Sequence, residues 1–157
     1  MKDAAGLLRQ GLRVAPDAPV WNPVRRDSYG LIHFYIAVQD AAEGKLAEAE
    51  EGYRRSLALR PAFPEAWFNL GVVLAGQDRQ HDAYRAYVKA AALKEGFYEA
   101  HREAGLAALR GGGTPAEAHR ALTAALALRP AGPDADTLRS LLAGGRDGGQ
   151  GAVRKAP

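Results

Sequence analysis

Cysteine is absent from the 157 residues of this chain. That excludes a disulfide framework and a thiolate metal site, and it leaves the redox compartment open. No apolar run approaches the ~20 residues that cross a bilayer. Asp3 and Gly6 interrupt the opening residues too early for a secretory leader. β-Branched residues are sparse and no stretch alternates apolar with polar positions, so strands have little to build on. A dominant charge is also lacking. Of the net +3, residues 1–30 hold five basic and three acidic groups, residues 31–143 hold 13 and 14, and residues 144–157 hold three and one. A nucleic-acid binder concentrates Lys and Arg on its folded part, and here the middle of the chain is close to neutral. Neither nucleic acid nor membrane is expected as a partner, and a cytoplasmic location is the default expectation.

What is present is repetition. Ala49, Tyr53, Ser56 and Pro61 return 34 residues later as Ala83, Tyr87, Ala90 and Glu95, and 35 residues further on as Ala118, Leu122, Ala125 and Pro130. Ahead of them, Ile36 and Ala37 return as Leu70 and Gly71, then as Ala104 and Gly105. A period of this length marks a stacked supersecondary unit, in which each repeat buries its apolar face against its neighbours. Such arrays offer long surfaces and seldom a catalytic pocket.

Each repeat reads as two helices. In the central one, Pro64 and Glu65 open a helix, where the missing N–H costs nothing and a carboxylate suits the dipole. Trp67, Leu70, Gly71 and Leu74 follow at amphipathic spacing. The stretch Gly76-Gln77-Asp78 interrupts, and a second helix begins near Asp82. Ala37, Gly71 and Gly105 are placed where two helices approach closely, with Tyr53, Tyr87 and Leu122 filling the space one turn away. Pro61 and Pro130 end their helices because proline cannot continue the ladder. At Glu95 the stop passes to Gly96, read as a left-handed cap.

This pattern resembles the tetratricopeptide repeat. Residues 64–97 carry Trp-x-x-Leu-Gly as Trp67, Leu70 and Gly71, then Ala83, Tyr87 and Ala90. Residues 30–63 carry Gly44, Ala49, Tyr53 and Pro61 with His33 at the Trp position, and residues 98–132 have His101 there and one extra residue around Gly111-Gly112-Gly113-Thr114-Pro115. The resemblance implies an all-α, right-handed α-solenoid of antiparallel helix pairs: about three and a half repeats plus a C-terminal capping helix. Residues 1–17 read as a half repeat, a second helix without its first, since Ala4, Leu8, Gly11 and Pro16 match Ala49, Tyr53, Ser56 and Pro61. Residues 18–29 are an insertion or linker. Either Asn22 caps a helix with Pro23 at its first position, or Asp27 or Ser28 is the cap and Trp21 lies in a loop, and the loop is favoured. Residues 133–143, with Leu138, Leu141 and Leu142, form the capping helix. The Gly-rich residues 144–157 read as a disordered tail.

No catalytic constellation emerges. Among His33, His81, His101 and His119 no two stand at i, i+4, so no metal site is expected; His33 and His101 read as packing residues with a polar edge. Ser28, Ser56 and Ser140 lack a nucleophile-elbow context, and the triple glycine has no preceding strand and no Gly-Lys-Ser/Thr after it. No cofactor and no enzymatic activity are expected. Glu50 with Arg54 and Glu51 with Arg55 are helix-surface pairs.

In tetratricopeptide repeats the first helix of each unit lines a concave face. By that resemblance the groove consists of Phe34, Tyr35 and Val38, then Glu65, Phe68, Asn69 and Val72, then Glu99, Arg102, Glu103 and Leu106. Phe34, Phe68 and Val72 form its apolar floor, and Asn69 is placed to bond a peptide backbone. Chaperone-binding members hold a C-terminal carboxylate with Lys and Asn on the first repeat, Asn on the second, and Lys and Arg on the third. Those places are here Phe34 and Val38, Asn69, and Glu99 and Glu103, so only Asn69 matches and two departures reverse the charge. The implied function is a non-catalytic interaction module or scaffold for a protein or peptide partner; the alternative is the helical part of a larger enzyme system such as a transferase. A monomer is expected, with a homodimer through the N-terminal half repeat as the alternative.

Overall fold

A computed structural model describes residues 6–7, 9–10 and 23–147. Seven helices make up residues 23–147, and among the described residues there is no strand: α1 Pro23–Ala42, α2 Leu46–Leu59, α3 Pro64–Gly76, α4 Gln80–Leu93, α5 Tyr98–Ala107, α6 Pro115–Leu128 and α7 Ala135–Asp147. They pack as hairpins α1–α2, α3–α4 and α5–α6, joined in sequence by α2–α3, α4–α5 and α6–α7 contacts. Each hairpin turn holds one left-handed residue, at Gly44, Asp78 and Gly111 with φ of 76°, 60° and 95°. The first two stand one period apart. The same backbone event therefore closes all three hairpins, with Asp at one of them tolerating the conformation.

The small positions do what their size requires. Ala37, Ala49, Ala83, Ala90 and Ala125 are fully buried, as is Ser56, whose hydroxyl donates to the Gly30 carbonyl at 2.7 Å. A Cβ placed on Gly71 would stand 2.6 Å from Tyr87 Cε1, and one on Gly105 would overlap Leu122. Glycine here is a matter of helix crossing distance, since both residues have ordinary helical backbones. Tyr53, Tyr87 and Leu122 lie 2%, 3% and 1% exposed at equivalent places. One core runs from Ala37 to Ala118 through all three repeats, and a second gathers Tyr98, Leu122, Ala125 and Leu138 under α7.

Four features depart from the sequence reading. Residues 23–29 are helix, with Pro23 at its start, and not the favoured loop; Trp21 lies outside the described residues. The added turns are held to the end of α2, where Arg26 donates to the Leu59 and Ala58 carbonyls and Asp27 pairs with Arg60 at 2.9 Å. Gly96 is not a left-handed cap. Instead the helix stops at Leu93 because Lys94 turns extended, and Arg60 and Arg129 likewise leave the helical conformation at the matching ends. The extra residue of the third repeat falls in a π-type turn over Ala108–Gly112, a wider last turn that breaks at the left-handed Gly111. Thr114 and Glu117 then form a reciprocal capping box at α6, a Thr-x-x-Glu signal legible in the chain. Finally α7 continues to Asp147, four residues into the segment read as a tail, and residues 148–157 lie outside the described residues.

Of the half repeat, residues 6, 7, 9 and 10 are helical. Arg9 forms an ion pair with Asp40, a carboxylate only 4% exposed. Together with His33, Glu48, Glu51 and Arg55 they line a cleft of about 240 Å³. The equivalent cleft two repeats on, of about 480 Å³, is lined by Val88, Ala91, Ala121 and Ala124 among others. Glu95, His101, Glu117 and Arg120 also line the later cleft, so both seams mix charged and apolar groups and the later one has the larger apolar share.

Candidate peptide-binding groove

Helices α1, α3 and α5 turn one face to their hairpin partners through Ala37, Gly71 and Gly105, and the opposite face carries the residues projected as a groove. Tyr35, Val38 and Val72 are 58%, 38% and 48% exposed there, large apolar side chains with no cover. Asn69 sits between the two repeats and hydrogen-bonds the Tyr53 hydroxyl. Of the residues projected from α1 and α3, Tyr35, Val38 and Val72 are exposed, and Phe34, Glu65, Phe68 and Asn69 are partly exposed.

Phe34 and Phe68 behave differently from the rest of that floor. Phe34 contacts Tyr53 and Phe63 with ring centroids 5.8 and 4.7 Å apart, and Phe68 contacts Tyr87 and Phe97 at 5.5 and 5.1 Å. Both are half-buried between repeats, so they support the surface as much as they form it. Trp67 packs against the main core, and its indole N–H donates to the Pro61 carbonyl at 2.9 Å. His101, at the same position one repeat on, places Nε2 3.0 Å from the Glu95 carbonyl. A histidine here keeps the polar edge contact of the tryptophan with less apolar area. His33 is half-buried in the polar cleft, and burial followed by the nearby Arg55 charge pushes its pKa down. His81 and His119 are exposed.

The C-terminal third of the projected groove is tied up by the end helix. Arg102 pairs with Glu103 at 2.6 Å and with Asp134, ahead of α7, at 3.0 Å; Asp134 also accepts from the Tyr98 hydroxyl. Leu106, like Leu141 and Leu142 of α7, packs against the buried cluster of Tyr98, Leu122, Ala125 and Leu138. Arg102 and Leu106 are therefore attachment points for the cap, a role spacing within one repeat does not disclose. Glu99 and Glu65 are also engaged, with Arg129 at 2.8 Å and Lys94 at 3.2 Å. These two cations, and Arg60, lie over Tyr98, Phe97 and Phe63 at 4.2, 4.9 and 4.5 Å from the ring centroids. A cation ending each second helix thus bridges an aromatic ring and an acid near the start of its repeat's first helix. The signal was legible as a basic residue recurring at 60, 94 and 129, immediately before the positions that sequence analysis aligned.

Burial of the wedge tyrosines has a measurable consequence. Burial raises the Tyr53 pKa to about 12, with the Asn69 hydrogen bond opposing, and raises that of Tyr87, with Glu103 adding to the effect. In the unfolded chain these phenols ionise near the ordinary value of 10.0. Below that pH both states are neutral and stability is unaffected. Above it only the unfolded chain ionises, so stability falls by about 1.4 kcal/mol per pH unit for each such tyrosine. Denaturant melts between pH 9 and 11.5 should show this decline, and Tyr53→Phe should shallow it; an unchanged slope in that variant would remove Tyr53 as its source.

A family model described as TPR repeat matches residues 40–78. The folds agree over a longer span. The first TPR of Spaghetti (RPAP3), solved bound to the HSP90 peptide SRMEEVD, superposes with a TM-score of 0.68 at 20% identity, covering 75% of this chain and 94% of that one. The fold is that of tetratricopeptide-repeat domains. The Arabidopsis OM64 TPR domain matches with a TM-score of 0.67 at 16% identity, covering 74% of this chain and 96% of that one. The Yersinia enterocolitica type III secretion chaperone SycD, in complex with a peptide of the translocator YopD, matches with a TM-score of 0.65 at 18% identity, covering 74% and 91%. No curated protein sequence matches significantly.

Set in that fold, the helix hairpins α1–α2, α3–α4 and α5–α6 follow one another in the stack, with α7 at its end. Among the described residues no group of three His, Cys, Asp or Glu side chains is placed to hold a metal ion, and no helix is long and apolar enough to cross a membrane.

Proposed function

We propose that the chain is a non-catalytic interaction module that binds a segment of a partner protein across α1 and α3, organising a complex. The observation that carries this is the uncovered apolar surface of Tyr35, Val38 and Val72, because contiguous exposed apolar patches on folded proteins mark interaction sites. Two superposing proteins are solved with peptides, which supports the same reading. The working unit is a monomer in the cytoplasm with no nucleic-acid or membrane partner, as the nearly neutral repeat body favours.

The test is affinity capture from the native cell with the wild-type chain and a Tyr35→Ala/Val72→Asp variant. Both residues are largely solvated, so melting should stay within about 0.5 kcal/mol of wild type. Capture of specific partners should weaken by about tenfold or more, equivalent to 1.4 kcal/mol. Undiminished capture by a folded double variant would place the binding surface elsewhere. Light scattering at several concentrations checks the monomer; a dimer abolished by Leu8→Glu would sink it.

A further inference from the structure

On the reading that this surface is the binding groove, we infer the chemistry of its partner: an uncharged apolar stretch, bound without a free terminal carboxylate. Two independent observations converge on it. The first is what is exposed. Val38, Val72 and Leu106 recur at 34-residue steps, and the first two, with Tyr35, are the large apolar side chains left in solvent on α1 and α3, the first helices of the first two repeats. A ligand crossing α1 and α3 therefore meets isopropyl groups and a phenol ring, with the Asn69 amide between them as the neutral polar group.

The second is what is not available. All four charged side chains projected to this face are committed within the chain: Glu65 to Lys94, Glu99 to Arg129, and Arg102 to both Glu103 and Asp134. Arg102, the one cation among them, lies between two carboxylates, so its charge is over-compensated before a ligand arrives. An acidic peptide end would have to break one of those pairs and would still face Glu99 and Glu103. Like charges in such a setting raise the cost of binding, and that repulsion is how interfaces reject wrong partners. An apolar segment incurs no such penalty and covers side chains that water now solvates.

Two features of binding follow. Association should be nearly insensitive to salt, because no unscreened charge pair forms. It should also be indifferent to whether the segment's carboxyl end is free or amidated.

The experiment is selection by the full chain from a random dodecapeptide library synthesised in free-acid and amidated forms, with the acidic heptapeptide SRMEEVD as a separate probe. Binders should be rich in Leu, Val, Ile and Phe and low in net charge. Their affinity should change less than about twofold between 50 and 500 mM salt, and fall at least about tenfold in Val72→Asp, an effect of 1.4 kcal/mol. SRMEEVD should bind at least tenfold more weakly than these peptides, free carboxylate or not. Selected peptides that are acidic, need the free carboxylate and lose affinity in Arg102→Ala would overturn the inference while leaving the groove in place. Binders unaffected by Val72→Asp and Tyr35→Ala, or no binders at all, would overturn both the inference and the groove reading beneath it.

Discussion

Gly71→Leu should unfold or severely weaken this protein. The Cβ alone would stand 2.6 Å from Tyr87 Cε1 and 2.7 Å from Cδ1, on a ring that is itself 3% exposed and wedged between helices. Neither side can yield, because α3 and α4 also meet along the rest of their length and Phe68 presses on Tyr87 from the inner face. Overpacking of this kind costs about 1–3 kcal/mol or more, and at this chain length each kcal/mol lowers the melting temperature by roughly 2–4 °C. The sign is informative even for Gly71→Ala. In an unconstrained helix that change stabilises by about 1 kcal/mol; here it should destabilise. Tyr87→Ala, costing about 3–5 kcal/mol alone, should abolish the penalty of Gly71→Ala when the two are combined. Wild-type-like melting of Gly71→Leu would mean that the helices cross somewhere else.

The second large effect is expected at the other end of the stack. Leu138 is 2% exposed and lies with Tyr98, Leu122 and Ala125 beneath α7. Leu138→Ala should cost about 2–5 kcal/mol. In a solenoid each unit answers mainly to its neighbours, so the loss should be local. Amide exchange should accelerate first in α6 and α7, with α2 to α4 keeping their protection. Leu128→Ala, at 41% exposed, is the control and should stay within about 0.5 kcal/mol. Equal loss of protection in every helix would show that the three repeats open as one unit and that the cap is not a separable element.

Both results bear on where the groove is exposed. If α7 loosens, the pairing of Arg102 with Asp134 and the packing of Leu106 go with it, and the C-terminal third of the inner face opens.

The chain by itself determined the stack. A side chain that must be small at 37, 71 and 105, opposite one that must be large at 53, 87 and 122, is a constraint on helix crossing distance. Such constraints repeat wherever the crossing repeats, so period and residue size reveal them without coordinates. Tertiary structure alone decided what happens where the period stops. Residues 23–29 are helical because Arg26 and Asp27 reach the end of α2 some 32 residues away, a contact with no counterpart in local spacing. Arg102 and Leu106 serve the cap and not an open groove because α7 lies against them. Gly96 is an ordinary turn residue because Lys94 has already turned the chain. The Arg26 contacts and the Arg102–Asp134 pair join residues with no equivalent pair in the other repeats, and periodicity carries no information about a contact made only once.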